Sequence, residues 1–198
     1  MGGKTRRTLG SGIARALQDV AVVIARHERR AAVIGGIAVI ARGVPRTTRD
    51  IDVLVAGQDI SVRDLAAELA EAGITPRIAD AVAFAEQNEV LLARHTETGV
   101  DIDVSRAWIP FELEALESAS NESLGGVRTS IALPEDLIIF KAVAWRPHDQ
   151  QDVERLLALY GSRIDLDRIR RYVTAFGEAL EIDRIAALDA LIDRIVKR

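Results

Sequence analysis

Carboxylates alternate with branched aliphatic side chains twice in this chain, and the recurrence constrains how the chain can fold. The alternation occurs at Asp50-Ile51-Asp52-Val53-Leu54-Val55 and again at Asp101-Ile102-Asp103-Val104. Side chains on a β-strand alternate between faces, so Asp50 and Asp52 point one way and Ile51 and Val53 the other. Each segment is therefore predicted to be a strand with one acidic and one apolar face. If the two strands are neighbours, three or four carboxylates share one face within a few ångströms. Like charges that close either raise one another's pKa or hold a divalent cation between them. Oxygen-only ligation suits Mg²⁺ or Mn²⁺. Either pair alone also fits a strand with one solvated face; it is the recurrence that points to a site.

The surroundings of the first pair sharpen this reading. Ala31 to Ile34 is short and apolar, predicts a buried strand, and stops at Gly35-Gly36, where Ile37 to Ala41 starts a short helix. A strand running into two glycines at a helix start is a backbone cradle for an anion. Thirteen residues separate Gly36 from Asp50. Upstream, the 3.6 period of Ile13, Ala16, Leu17, Val20 and Ile24 predicts a helix over 12–29. Downstream, Ser61 and Asp64 resemble a capping box before Leu65, Leu69 and a terminating Gly73. Val90 to His95 and Val100 to Val104 predict a hairpin turning at Gly99. After 111–119, helical, and a strand near Val127 to Ala132, the chain reads as helical over 134–145, 148–160, 165–180 and 182–197, with Gly161 and Gly177 expected to mark breaks or ends. The organisation expected is an α/β domain over 1–133, a mixed β-sheet flanked by helices, followed by a helical C-terminal domain over 134–198.

Composition bounds the chemistry. With no cysteine, the chain forms no disulfide, no cysteine-ligated zinc site and no iron–sulfur cluster. Aromatic residues make up only 4%, which leaves an aliphatic core. The longest nearly apolar run, Ala31 to Ala41, is too short to span a bilayer and contains two glycines. Lys4, Arg6 and Arg7 precede no apolar signal core, because Arg15 and Asp19 interrupt the adjoining segment. No membrane partner is expected, and the cytoplasm is the expected location.

The combination Ile34-Gly35-Gly36, a thirteen-residue gap and Asp50-Ile51-Asp52-Val53 resembles the signature of the DNA polymerase β-type nucleotidyltransferase superfamily. Arg46-Thr47-Thr48-Arg49-Asp50 is similar to the abortive-infection-type branch of that superfamily. So is Leu133-Pro134-Glu135-Asp136-Leu137, leading to Lys141, Arg146-Pro147-His148-Asp149 and Asp152. The matching positions extend over about residues 31 to 157.

The resemblance implies a Mg²⁺- or Mn²⁺-dependent transferase that moves a nucleoside monophosphate from an NTP to a hydroxyl. Gly35, Gly36, Thr48 and Lys141 would bind the nucleotide, which the resemblance puts between the two domains. Asp50, Asp52 and a later carboxylate would be catalytic and hold the metal. That third group is Asp103 or Asp101, which face the same way; the resemblance favours Asp103, which follows an apolar residue and leads out of the strand. The branch includes toxins of bacterial toxin–antitoxin pairs, implying an RNA acceptor such as tRNA and a cognate antitoxin as partner. Other relatives transfer to small aminoglycoside-like hydroxyls, and a binding or regulatory protein without catalysis is a third reading.

Several residues have two readings. Lys141 sits among Ile138, Ile139, Phe140, Val143 and Ala144, where an ammonium either contacts phosphate or snorkels to solvent. Asp149 is either a helix cap or a supporting site residue, whereas Asp152 reads as structural. Arg26, Arg29 and Arg30, with Arg168, Arg170 and Arg171, could contact an RNA backbone, although a net charge of −4 also suits solvated helix faces.

Overall fold

The computed structural model describes residues 9–58 and 60–196. Lys4, Arg6 and Arg7 lie outside the described residues. The chain divides into two compact units: the residues up to Ala41 with Pro45–Ala132, and Arg42–Val44 with the residues from Leu133 onward.

The first unit is built on a mixed sheet. In chain order its elements are α1 (Ser11–Arg26), β1 (Ala31–Ile34), α2 (Gly35–Ala41), β2 (Asp50–Ala56), α3 (Val62–Glu71), β3 (Ile74–Pro76), α4 (Ala81–Asn88), β4 (Val90–His95), β5 (Asp101–Ala107), α5 (Pro110–Ser118), β6 (Ser120–Leu124) and β7 (Val127–Ile131). Among the described residues these strands form one seven-stranded sheet in the order β3-β4-β5-β2-β1-β7-β6. β2 lies at its centre, parallel to β5 and antiparallel to β1, and β1 is parallel to β7. The first unit is thus an α/β arrangement with a mixed sheet, as expected.

Alternation along the central strands is what orients the site. Val53 and Val55 of β2 and Ile102 and Val104 of β5 line one apolar layer with Val20, Val23 and Ile24 of α1 and Leu65 and Leu69 of α3. All of these side chains are at most 5% exposed. Burying aliphatic side chains in this layer drives the first unit to fold, at roughly 1.5–3 kcal/mol each, and it forces the intervening aspartates onto the opposite face of the sheet. α1 is also pinned to the β4–β5 hairpin by a buried imidazole. His95 Nε2 lies 2.9 Å from Asp19 Oδ2, and its Nδ1 accepts from the Thr98 backbone N–H at 3.2 Å.

The predicted helix over 12–29 ends three residues early, at Arg26. A turn follows, in which Arg29 takes a positive φ of 56°. The capping box is present as expected, with the Ser61 hydroxyl accepting from Asp64 N at 3.1 Å. Three elements carried no signal in the sequence: β3, α4 and β6. β3 has three residues, all paired antiparallel with β4 from Ile74–His95 to Pro76–Ala93.

The second unit is helical: α6 (Pro134–Ala144), α7 (Pro147–Tyr160), α8 (Leu166–Leu180) and α9 (Ile185–Ile195). Gly177 does not break α8. A Cβ there would stand 2.8 Å from the Ile182 carbonyl oxygen, and the Gly177 carbonyl accepts from Ile182 N at 2.9 Å. The helix instead stops at Glu181, in the left-handed conformation. Tyr160 Oη donates to the Arg42 carbonyl at 2.8 Å, tying 42–44 into this unit.

Buried charge holds α6 to its neighbours. Lys141 is 6% exposed, and its Nζ is 3.1 Å from Asp149 Oδ1 and 2.8 Å from Asp152 Oδ2. Asp149 Oδ2 also accepts from Arg146 Nε at 2.7 Å and from the Arg146 backbone N–H at 3.2 Å, which caps α7. Burial pushes the Asp149 carboxyl upward, but the Arg146 hydrogen bond and the Lys141 charge outweigh it and hold it below its ordinary value.

A carboxylate whose pKa is depressed by folding adds stability above its unfolded pKa and loses it as pH falls through the folded value. Asp149→Asn is therefore expected to cost about 3 kcal/mol at pH 7 by leaving the Lys141 charge short of a partner. The gap between variant and parent should narrow below about pH 4, around the ordinary carboxyl value of 3.8. Urea unfolding of both proteins at a series of pH values checks this.

Candidate active site

The end of β1 and the middle of β2 meet at a point where only glycine fits. Ile34 pairs with Asp52, and the next residue, Gly35, turns into α2 with φ +59°. A Cβ on Gly35 would lie 1.8 Å from Asp52 Oδ2 and 2.5 Å from its Cγ. The Asp52 carboxylate therefore occupies the space that any larger residue would take. Gly36 does the same for Thr48, whose Oγ1 lies 2.6 Å from where a Cβ would stand, with Arg46 Cζ 3.4 Å away. Thr48 Oγ1 in turn donates to Asp50 Oδ1 at 2.9 Å. The two glycines thus let β2's approach segment and its second carboxylate pack against the start of α2.

The register across β2 and β5 completes the face. Asp50 is paired with Asp101 and Asp52 with Asp103, in a parallel ladder. Adjacent strands are about 4.8 Å apart, so all four carboxylates stand side by side. The structure brings Gly35, Gly36, Thr48, Asp50, Asp52 and Asp103 together in the first unit, with Asp101 beside them.

Two arginines that spacing could not single out also belong to this face. Arg77, just past β3, donates from Nη1 to Asp103 Oδ1 and, at 3.1 Å, to the Ala93 carbonyl. Arg94 of β4 donates from Nε to Asp101 Oδ1 at 2.7 Å. The Arg94 hydrogen bond holds the Asp101 carboxyl below its ordinary value, against a smaller desolvation effect. The hydrogen bond to Asp103 raises the Arg77 guanidinium above its ordinary value, against partial desolvation, with the charges of Asp103, Asp101 and Asp50 adding to the rise. Among the described residues no three acidic or histidine side chains stand in a metal-holding group. On β5 both carboxylates are engaged by arginines. In chemistry the donor set still suits a hard divalent cation, since it is all carboxylate oxygen and Asp52 is seated in a cradle with no Cβ.

Lys141 belongs to the second unit, where its ammonium is spent on Asp149 and Asp152. Two of its three N–H donors are thus taken by carboxylates within its own unit. Three of the six arginines considered for RNA are held by carboxylates. Arg168 Nη1 donates to the buried Asp136 at 2.7 Å, Arg170 Nε to Asp189 at 2.7 Å, and Arg26 Nη1 to Glu71 at 2.8 Å. Arg171 stacks over Tyr172, 5.6 Å from the ring centroid.

A family described as "Nucleotidyl transferase of unknown function" (DUF2204) matches residues 13–186. The chain belongs to that family. It is accordingly a nucleotidyltransferase. The family member resembles in fold the crystal structure of ANT(2'')-Ia in complex with adenylyl-2''-tobramycin, with a TM-score of 0.58 and 17% identity over 86% of this chain and 99% of the other. The solution structure of the same antibiotic-resistance factor gives a TM-score of 0.57 and 19% identity over 90% and 95% of the two chains. An antigenic nucleotidyltransferase-like protein from Paracoccidioides brasiliensis gives 0.52 and 12% over 96% and 99%. No curated protein matches the sequence. Among the described residues no helix is long and apolar enough to cross a membrane.

Gly35 offers the sharpest check on this geometry. Gly35→Ala should cost about 1–3 kcal/mol, because the new Cβ is strained at positive φ and strikes the Asp52 carboxylate. Gly36→Ala should cost less, since the Thr48 hydroxyl it meets can rotate away. Urea unfolding of the two variants beside the parent measures both.

Proposed function

We propose that this nucleotidyltransferase moves a nucleoside monophosphate from an NTP to a hydroxyl of a small acceptor, using the acidic face of the first unit. The reading is carried by one observation: Asp50 and Asp52 stand in register with Asp101 and Asp103, with Asp52 seated against Gly35. Four adjacent carboxylates crowded against a glycine turn are costly for a protein that only binds. They suit one that gathers divalent cations and phosphates.

In this reading Asp50, Asp52 and Asp103 hold Mg²⁺ or Mn²⁺. The metal, when bound, supplies a lowered pKa for the acceptor hydroxyl and charge neutralisation at the α-phosphate and departing pyrophosphate. Thr48 fixes the orientation of Asp50 through its 2.9 Å hydrogen bond. Gly35 and Gly36, whose Cβ positions are taken up by Asp52 and Thr48, would meet the triphosphate through backbone N–H groups at the start of α2. The small acceptor is supported by the likeness to a structure holding adenylyl-2''-tobramycin. The arginines of α8 support RNA less well, because Arg168 and Arg170 already hold Asp136 and Asp189.

A second reading keeps tRNA as the acceptor, in a toxin countered by a cognate antitoxin. It rests on the Arg46 to Asp50 motif and the Lys141 to Asp152 segment.

Each α-³²P-labelled NTP, incubated with Mg²⁺ and either an aminoglycoside such as tobramycin or total tRNA, separates the readings. Label is expected on the small acceptor. Asp52→Asn should slow transfer about 10³-fold, the scale of losing several kcal/mol of transition-state stabilisation. Label on tRNA alone decides for the second reading. No transfer to either acceptor, or full activity in Asp52→Asn, contradicts the assignment.

A further inference from the structure

We propose that Arg77 is a resident counter-cation of the acidic face, seated on Asp103 until a divalent cation displaces it, so that Arg77 sets the metal affinity of the site. The inference rests on the reading of Asp50, Asp52 and Asp103 as metal ligands. It concerns a residue that no motif in the sequence marked.

Arg77 reaches the acidic face from a distance. It lies just past the three-residue strand β3, two strands away from β5 in the sheet order. Its backbone N–H donates to the Leu92 carbonyl at 3.1 Å, and Leu92 is the β4 residue paired with Asp103. The side chain then crosses β4, leaving one Nη1 hydrogen bond on the Ala93 carbonyl at 3.1 Å, and ends on Asp103. Backbone and side chain are thus both anchored to β4. A long cation is aimed at a single carboxylate of the neighbouring strand.

Charge explains why it is aimed there. Asp50, Asp52, Asp101 and Asp103 stand on adjacent strands, and their repulsion has to be offset in the metal-free protein. Asp101 is offset by Arg94, in a pair open to solvent, with side chains 53% and 39% exposed. The Arg77–Asp103 pair is better covered, at 19% and 32%. Beyond its hydrogen bond to Asp103, the charges of Asp103, Asp101 and Asp50 all raise the Arg77 guanidinium above its ordinary value. It therefore sits in the field of three of the four carboxylates, as a bound cation would.

Arg77 also has a second partner that does not depend on Asp103. Guanidinium carries five donors, so Arg77 keeps its Ala93 bond when it releases Asp103. A monovalent group touching one carboxylate is then in competition with a divalent ion that several carboxylates can share. Because arginine stays charged across the working pH range, this competition does not depend on protonation of Arg77.

The experiment measures Mn²⁺ binding to the whole nucleotide-free protein, from the electron paramagnetic resonance signal of free Mn²⁺, in the parent, Arg77→Met and Asp103→Asn. Arg77→Met keeps an unbranched stem and removes the charge. It is expected to bind Mn²⁺ about tenfold more tightly than the parent, and Asp103→Asn at least tenfold more weakly. Equal or weaker binding in Arg77→Met, with binding reduced in Asp103→Asn, overturns the counter-cation role and leaves the metal ligands standing. Unchanged binding in Asp103→Asn overturns the ligand reading itself. A second readout uses the parent alone and decides the matter if Arg77→Met does not fold. The side-chain N–H resonance of Arg77, assigned by its loss in Arg77→Lys, should shift on Mg²⁺ titration with the midpoint of binding; a resonance unmoved at saturating Mg²⁺ overturns the proposal.

Discussion

Burial of one apolar sheet face forces four carboxylates together on the other, and the surroundings of that acidic face answer to their mutual repulsion. The register that puts Asp50 beside Asp101 and Asp52 beside Asp103 is imposed by the apolar face, where Val53, Val55, Ile102 and Val104 pack against α1 and α3. Shifting either strand by one residue would bury the acids and expose the valines. Hydrophobic burial therefore fixes an electrostatically unfavourable arrangement, and the surrounding elements are organised to offset it. Arg77 and Arg94 supply positive charge from β3's end and β4, Thr48 donates to Asp50, and Gly35 leaves room for the Asp52 carboxylate. A site of this kind stores its capacity for cations in its fold.

The second unit uses charge in the opposite way. Lys141, Asp149 and Asp152 are nearly inaccessible and satisfy one another, with Arg146 closing the set from the start of α7. Breaking one member of a buried network leaves the others uncompensated, so the effect of a change at Lys141 on activity includes its effect on the helical unit. The same holds for Arg168 on the buried Asp136. Residues with the sequence character of ligands here act first as internal braces.

The parts of the site legible in the sequence were those written in local patterns. Period-two alternation exposed both acidic strands, and the paired glycines after an apolar strand marked the turn that accommodates Asp52. The Ser61 cap and the Gly99 hairpin were equally local. What escaped was set by long-range pairing. Arg77 meets Asp103 across 26 positions and through an intervening strand, so nothing near Arg77 announces its target. β3 and β6 are short or polar and exist because a partner strand lies beside them. Gly177 read as a break or end because glycine disfavours helices; the structure uses its missing Cβ to admit the Ile182 carbonyl inside α8's last turns. The arginines of α8 looked available in one dimension, and their acidic partners on α6 and α9 became visible only in three.

If nucleotide-bound metal sits on the acidic face of β2 and β5, crystals grown with Mn²⁺ and a non-hydrolysable NTP should reveal it through the anomalous scattering of manganese. The expected result is a peak about 2.1 Å from carboxylate oxygens of Asp50, Asp52 and Asp103, the distance of a tight octahedral divalent site, with the triphosphate along Gly35 and Gly36. A bound nucleotide whose metal lies elsewhere, with Asp50 and Asp52 touching neither, would contradict that placement.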